Sequence, residues 1–126
     1  MTYNTALELD RNRKMTDFFI KTHPRKTAIV LSRETFVNDG AGGWKRSGVP
    51  QTRSSQDMAF LPVTTQLPVR RTQDGQEVNP EYTLIARYDA VIEPGDWFWV
   101  NGVKYEVVFI HPDKSYEIKA EVTYRG

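Results

Sequence analysis

Two apolar stretches joined by a pair of turn residues predict a β-hairpin at 97–110, which reads WFWVNGVKYEVVFI. Asn101-Gly102 is the preferred residue pair for a two-residue type I′ turn, because both positions need positive φ. Such a turn fixes the register of the strands, so facing residues can be assigned. The predicted pairs are Val100 with Val103, Trp99 with Lys104, Phe98 with Tyr105, and Trp97 with Glu106. Pro94-Gly95 fits the centre of a type II turn just before the hairpin.

This register gives the hairpin two faces, and both are apolar. The face predicted to meet the core carries Phe98, Val100, Val103, Tyr105, Val107 and Phe109. The outer face carries Trp97, Trp99, Val108 and Ile110, beside Lys104 and Glu106. Such a face is too apolar to meet water alone, so we expect another element of this chain or a neighbouring subunit to cover it.

The two-residue period of β-strands recurs in five other stretches. They are 27–37, a return strand beginning at Trp44, 56–61, 82–88 and 116–124. The last stretch places Glu117, Lys119 and Glu121 on the face opposite its apolar residues. We interpret these charges as solvated cross-strand pairs and not as paired catalytic acids.

A glycine-rich turn separates the first of these strands from the second. It has the sequence NDGAGG at 38–43 and contains Gly40, Gly42 and Gly43. A phosphate-binding loop would continue with GK[ST] into a helix, and neither follows here. The turn is therefore predicted to be structural.

A short amphipathic helix is predicted at about 10–22. Met15, Phe18, Phe19 and Thr22 lie at helical spacing, Asp10 suits the N-cap, and His23-Pro24 ends the pattern. Residues 1–8 show no period and are predicted to form an arm. A helix this short is marginal alone, so we expect Phe18 and Phe19 to lie in an interface, with the outer face of the 97–110 hairpin as one candidate seat.

These elements predict an all-β protein: a small β-barrel or sandwich of six to seven mainly antiparallel strands, with one short N-terminal α-helix and one long loop. The arm and helix occupy 1–26, and the β-barrel domain occupies 27–126. The loop is 64–80, TTQLPVRRTQDGQEVNP, which exceeds an ordinary connection in a compact domain. Loops of this length are usually functional or disordered.

Composition narrows the function classes. Seventeen basic and sixteen acidic residues leave a net charge of +1, which gives no global case for tight nucleic-acid binding. Cysteine is absent, and His23 and His111 each precede a proline, so no metal, cofactor or catalytic site is predicted, and we expect no enzymatic activity. The polar start and the lack of a long apolar run predict a soluble protein made in the cytoplasm, without a membrane partner.

The outer tryptophans leave one alternative open. Trp97 and Trp99 beside Lys104 could stack on the bases of a single-stranded nucleic acid. Glu93, Asp96 and Glu106 flank them, which favours a covered protein contact instead. The alternative reading is therefore a monomeric β-barrel adaptor or a single-stranded nucleic-acid-binding module.

Several motifs, in this order, resemble those of head-to-tail stopper (head-closure) proteins of long-tailed bacteriophages, especially those infecting actinobacteria. The motifs are a helix ending in His-Pro, DGAGGW at 39–44, QDMAFLP at 56–62, IEPGDWFWVNGVKYEVVFIHP at 92–112, and AEVTYRG at 120–126. The resemblance implies a virion protein of the phage neck, made in the host cytoplasm and forming a homo-oligomeric ring, expected to be a dodecamer. Its implied partners are the portal-adaptor protein, the tail terminator and, without specificity, double-stranded DNA in the channel.

The same resemblance implies that the long loop enters the channel and closes it after DNA packaging. Leu67 and Val69 would form an apolar constriction, and Asp74-Gly75 would supply the turn at the tip. Arg70 and Arg71 would contact DNA phosphate or pair with Asp74 and Glu77 of neighbouring copies. The implied channel residues are Leu67, Val69, Arg70, Arg71, Asp74, Gly75 and Glu77.

Overall fold

The protein is a curled antiparallel β-sheet preceded by one helix, as a computed structural model describes for residues 5–112 and 114–125. The helix α1 spans Thr5–Thr22. The strands are β1 Lys26–Ile29, β2 Ser32–Arg33, β3 Phe36–Asn38, β4 Trp44–Arg46, β5 Gln51–Thr52, β6 Gln56–Pro62, β7 Arg70–Arg71, β8 Glu77–Val78, β9 Tyr82–Arg87, β10 Trp97–Val100, β11 Val103–Ile110 and β12 Glu117–Tyr124. The all-β class with one N-terminal helix is as predicted.

The main sheet has eight strands in the order β1-β6-β9-β12-β11-β10-β2-β5, while β3-β4 and β7-β8 form separate two-stranded sheets. The predicted single strand 27–37 is wrong, because the chain there is divided into β1, β2 and β3. β1 pairs with β6 at one end of the sheet, and β2 pairs with β10 near the other. One short stretch of chain therefore joins both ends, which requires the sheet to curl into a half-barrel.

Apolar side chains fill the inside of the curl. The buried cluster consists of Ile29, Leu31, Met58, Phe60, Leu84, Ala86, Ile92, Phe98, Tyr105, Val107, Ala120 and Val122. The ring of Phe60 stacks on Tyr82 at a centroid distance of 4.4 Å and meets the edge of Tyr105 at 5.1 Å. Burial of these side chains is the main favourable contribution to folding.

The central hairpin β10–β11 has the predicted register. Val100 pairs with Val103, Trp99 with Lys104, Phe98 with Tyr105, and Trp97 with Glu106. Asn101 and Gly102 have φ of 52° and 78°, which a type I′ turn requires. Before the hairpin, Gly95 has φ of 92°, and the carbonyl of Glu93 accepts a hydrogen bond from the Asp96 amide at 3.1 Å.

A β-bulge in β11 changes its two faces. Val107 pairs with Val122 but Phe109 pairs with Glu121, so Val108 is an extra residue on β11. Beyond the bulge, Ile110 packs against the core, and Phe109 lies beneath the guanidinium of Arg70. The predicted assignment of Phe109 to the core face and Ile110 to the outer face is therefore wrong.

The helix differs from the prediction in its first residue, in the face that it buries and in the strands on which it packs. It begins at Thr5, so Asp10 lies inside it and pairs with Lys14 at 3.1 Å instead of capping it. Residues 1–4 of the predicted arm lie outside the described residues. Ile20 and Thr16 are buried, and the helix packs on β9, β6 and β1. No helix in the described ranges is long and apolar enough to cross a membrane.

An ion pair between half-buried Arg33 and buried Asp96 connects β2 to the residue before the central hairpin. Arg33 on β2 donates from Nε and Nη2 to the two carboxylate oxygens of Asp96, at 2.8 and 2.9 Å. Asp96 is buried, and its carboxylate also accepts the Glu93 amide. The same contact raises the pKa of Arg33, because hydrogen bonding to Asp96 stabilises the charged guanidinium.

Candidate functional site

The long segment 64–80 is folded, and its centre is a short hairpin. Arg70 of β7 pairs with Val78 of β8, and Arg71 pairs with Glu77. At the tip, the Gly75 amide donates to the carbonyl of Thr72 at 3.0 Å, and Gly75 has φ of 89°. We call residues 70–78 the docked hairpin, because it lies against the outer face of the main sheet.

Thr72 organises the tip of the docked hairpin. It is buried, and its hydroxyl donates to the carboxylate of Asp74 and accepts the amide of Gln76. The hydrogen bond from Thr72 is the largest cause that lowers the pKa of Asp74, and a hydrogen bond from Arg125 adds to it. The tip is therefore held in one conformation by its own polar side chains.

One end of the docked hairpin is bound to Glu121 of β12. Arg70 donates from Nε and Nη2 to the two oxygens of the Glu121 carboxylate, at 2.9 and 3.2 Å. Nε2 of His111 lies 2.7 Å from the same carboxylate. The guanidinium of Arg70 also lies 3.6 Å from the ring centroid of Phe109, as in a cation–π contact. Hydrogen bonding to Glu121 raises the pKa of Arg70.

The tip is bound to the sheet through Glu106 of β11. The backbone amide of Gln73 donates to Glu106 at 2.9 Å, and Nε of Arg125 lies 3.3 Å from the other oxygen of that carboxylate. Arg125 also donates to Asp74 at 2.9 Å and to Gln76 at 2.8 Å. Arg125 thus bridges the acid on the sheet and the acid at the tip.

Glu121 contradicts the prediction of a solvated charged face on the last strand. Its side chain is only 1% exposed, because the docked hairpin covers it. A buried carboxylate is costly unless it is paired, and Arg70 and His111 provide the partners. The period of the strand predicted the orientation of Glu121, but the cover comes from a segment about 50 residues earlier in the chain.

Two groups can be distinguished among the predicted channel residues. Arg70 is half-buried and bound to Glu121 of its own protomer. Arg71 and Glu77 pair with each other at 3.1 Å on the exposed side of the docked hairpin. Leu67 is half-buried, and the exposed members of the set are Val69, Arg71, Asp74, Gly75 and Glu77.

The predicted interface residues remain largely uncovered in the single chain. Trp99 is 58% exposed, and Trp97 is half-buried with Nζ of Lys104 5.3 Å from its ring. Phe18 and Phe19 are exposed on the helix. The helix does not lie on the outer face of the central hairpin, and the docked hairpin, which lies on Glu106 of that face, leaves Trp97 half-buried and Trp99 exposed. A neighbouring subunit is the predicted cover that remains for these two tryptophans. Their burial in an assembly stays a prediction.

Sequence reasoning missed the residues that attach the docked hairpin: Thr72, Gln73, Glu106, His111 and Arg125. The one available indication was an acid inside an apolar strand, such as Glu106 in YEVVFI. In the sequence, each histidine is distinguished only by the proline that follows it. His23 does follow the helix, where its Nδ1 accepts the amide of Arg25 at 3.0 Å. Within residues 5–112 and 114–125, no group of three potential metal ligands is clustered.

Comparison with known proteins identifies the fold. No protein-family model matches the chain. No curated protein matches it at the level of sequence. Among solved structures, the phage-like element PBSX protein xkdH from Bacillus subtilis is similar, with a TM-score of 0.50 and 10% sequence identity. The match covers 79% of this chain and 93% of the PBSX protein.

Proposed function

We propose that this chain is a structural protein of a bacteriophage virion, a head-to-tail stopper whose copies form a ring in the neck. The observation that carries this proposal is the fold shared with nearly the whole of a phage-like element protein. The motif order in the sequence supports the finer assignment to a stopper. In this role the protein closes the DNA channel after packaging and links the portal-adaptor ring to the tail terminator, without enzymatic chemistry.

The docked hairpin is the element proposed to face the channel. Its attachment through Glu121 and Glu106 gives each protomer a polar element of defined shape on the outer face of the sheet. A closure that must resist packaged DNA needs such a preformed element, because a disordered loop would lose conformational entropy on closing. The exposed side chains that would meet DNA or a neighbouring copy are Val69, Arg71, Asp74 and Glu77.

The gate is tested with a variant that alters only its exposed side. Val69→Ser with Arg71→Ser leaves Arg70, Gln73 and Arg125 in place, so the docked hairpin should remain attached. We expect heads completed with this variant to recruit the protein normally but to lose DNA before tails attach. Quantifying packaged DNA in tail-less heads by nuclease protection measures this.

A matched control removes one exposed valine and one exposed basic residue elsewhere. Val30→Ser with Lys26→Ser changes residues at the β1 end of the sheet. These heads should retain DNA at the wild-type level. If both double variants retain DNA equally, the docked hairpin is not the gate. If neither protein binds a portal-adaptor complex, the stopper assignment itself fails.

A nucleic-acid-binding module is the second candidate, because Trp99 is exposed next to Lys104 and Trp97. Such a module would bind single-stranded DNA as a monomer through base stacking. An electrophoretic shift with a single-stranded oligonucleotide tests it, with Trp99→Ala as the variant that should abolish the shift. A shift that Trp99→Ala removes would favour this candidate over the stopper.

A further inference from the structure

The β3–β4 hairpin projects from the sheet. Its strands pair only with each other among the described residues, and all six of their residues are exposed. Trp44 is 73% exposed. It pairs with Asn38, which lies two residues along the strand from Phe36, so the side chains of Trp44 and Phe36 are on the same face of the hairpin. An isolated two-stranded hairpin with an exposed indole is marginal in water, so a partner surface is needed.

The projecting hairpin is nevertheless preorganised. In its turn, the carboxylate of Asp39 accepts the amides of Ala41 and Gly43 at 2.8 and 3.0 Å, which lowers the pKa of Asp39. At its base, the Ser47 amide donates to the carbonyl of Thr35 at 2.9 Å. Trp44 is therefore presented on a defined support, which lowers the entropy cost of docking.

An apolar groove of about 460 Å³ lies between α1 and the sheet. Its walls include Met15 and Phe19 of the helix and Leu61, Ile85 and Tyr116 from the sheet side. Met15 is 63% exposed, and Phe18 and Leu7 extend the apolar surface along the helix. The groove is large enough for an indole and is predominantly apolar, which suits an aromatic anchor.

The two surfaces complement each other, but one chain does not join them. Trp44 is exposed in its own protomer, and neither it nor any other residue of the projecting hairpin lines this groove. Of the fourteen exposed large apolar residues in the described ranges, eight lie on the helix or around the projecting hairpin: Leu7, Met15, Phe18, Phe19, Phe36, Val37, Trp44 and Val49. Lys45 and Arg46 follow Trp44, and the carboxylate of Glu117 lines the groove.

We propose that Trp44 of one copy inserts into the groove between α1 and the sheet of the next copy. This inference rests on the proposed ring, because it names the surfaces through which the copies meet. A contact between two different surfaces of the same chain is heterologous, so it propagates head to tail and closes into a ring when the rotation permits. A buried tryptophan contributes only about 150–250 Å² of contact, so it acts as the anchor of a larger interface.

Disulfide capture tests the contact directly, because the chain has no native cysteine. Arg46→Cys, on the same face of the hairpin as Trp44, keeps the indole in place. Arg46→Cys and Met15→Cys proteins are mixed at high concentration with a mild oxidant and separated on a non-reducing gel. Docking raises the effective concentration of the two thiols, so we expect at least about tenfold more mixed dimer than in the control pair. The control pairs Arg46→Cys with Val91→Cys, an exposed site outside both surfaces and outside the proposed channel residues.

The protein carrying both Arg46→Cys and Met15→Cys distinguishes a ring from a closed dimer. Head-to-tail contact should give a ladder of linked species, whereas a two-fold contact stops at the dimer. A product that stops at the dimer, or a yield equal to that of the Val91→Cys control, overturns the proposal. Thermal unfolding of each variant verifies that these exposed positions leave the fold intact.

The outcome is separable from that of the proposed function. If the cysteine pair gives the ladder but the protein does not bind a portal-adaptor complex, the contact stands and the stopper assignment fails. If the protein binds that complex without any ladder in the bound or free state, the stopper assignment stands and the Trp44 contact is wrong.

Discussion

The central hairpin β10–β11 and the docked hairpin 70–78 have the same plan but different sources of stability. Each has two antiparallel strands joined by a turn with a glycine at positive φ. The central hairpin is held by Phe98, Tyr105 and Val107 inside the core. The docked hairpin buries no large apolar side chain of its own strands and is held by Arg70 and by the Glu106 carboxylate.

The difference shows which contacts a local pattern can reveal. Apolar burial depends on alternation along a strand, so the central hairpin is visible in a short stretch of sequence. Ion pairs depend on single residues far apart in the chain, as between Arg70 and Glu121. The sequence of the docked hairpin therefore shows no strand pattern. In the structure, Arg70 binds Glu121 at one end of the hairpin, and Gln73 binds Glu106 at its tip.

The largest expected effect is a core truncation in the central hairpin. Phe98→Ala removes a fully buried ring and should lower the free energy of unfolding by about 3–5 kcal/mol. Trp99→Ala, the adjacent but exposed residue, should change it by less than about 0.5 kcal/mol in the free protein. Urea denaturation measures both. Similar losses for the two variants would show that the assignment of faces is wrong.

Removing the charge beneath the docked hairpin should have the next largest effect. Glu121→Gln keeps the shape but weakens the contacts with Arg70 and His111, which should cost about 1–3 kcal/mol. Hydrogen exchange should increase for the amides of 70–78. Glu77→Gln is the control, since its pair with Arg71 is exposed and should contribute almost nothing. Equal effects would mean that the docked hairpin is not held by Glu121.

Substitutions at the two turn glycines compare the hairpins directly. Both Gly102 and Gly75 have positive φ and open space around the position of a Cβ, so valine adds backbone strain and no collision. Gly102→Val should destabilise the whole protein by about 1–2 kcal/mol. Gly75→Val should loosen the docked hairpin with a smaller loss of global stability, because that hairpin can detach locally. Urea unfolding measures the loss of global stability, and hydrogen exchange measures local opening of residues 70–78. A larger global loss for Gly75→Val than for Gly102→Val would contradict the comparison.

The smallest expected effect is an acid-dependent loosening of the tip. The pKa of Asp74 is lowered in the folded protein, so its carboxylate stabilises the tip fully above the ordinary pKa of an aspartate. This stabilisation is lost as the pH falls through the lowered pKa. Contacts with Thr72 and Arg125 should therefore weaken only below about pH 4. Amide shifts of Gly75 and Gln76 in an NMR titration measure this. Asp74→Asn should abolish the acid-dependent change, and a change that persists in this variant would assign it to another group.

Much of the fold could be predicted from local sequence. The register of the central hairpin, the strand predicted at 56–61 and the alternation of the last strand all follow from periods of two and from turn residues. The position of the helix could be predicted, but the face that it buries could not. The structure buries Ile20, whereas Met15 and Phe18 of the predicted apolar face are exposed. The proposed channel residues lie in one segment of the sequence, whereas the attachment of that segment through Glu106, His111 and Arg125 could not be predicted.

Local steric preferences and side-chain alternation are properties of neighbouring residues, so the sequence alone determined the turn at Asn101-Gly102 and the strand pairing that it sets. Closure of the sheet, the bulge at Val107-Val108 and the burial of Glu121 were decided only in the tertiary structure. Each of these depends on segments that are distant in the chain and meet after the sheet has curled. A charge such as Glu121 is tolerated inside only because Arg70 reaches it there.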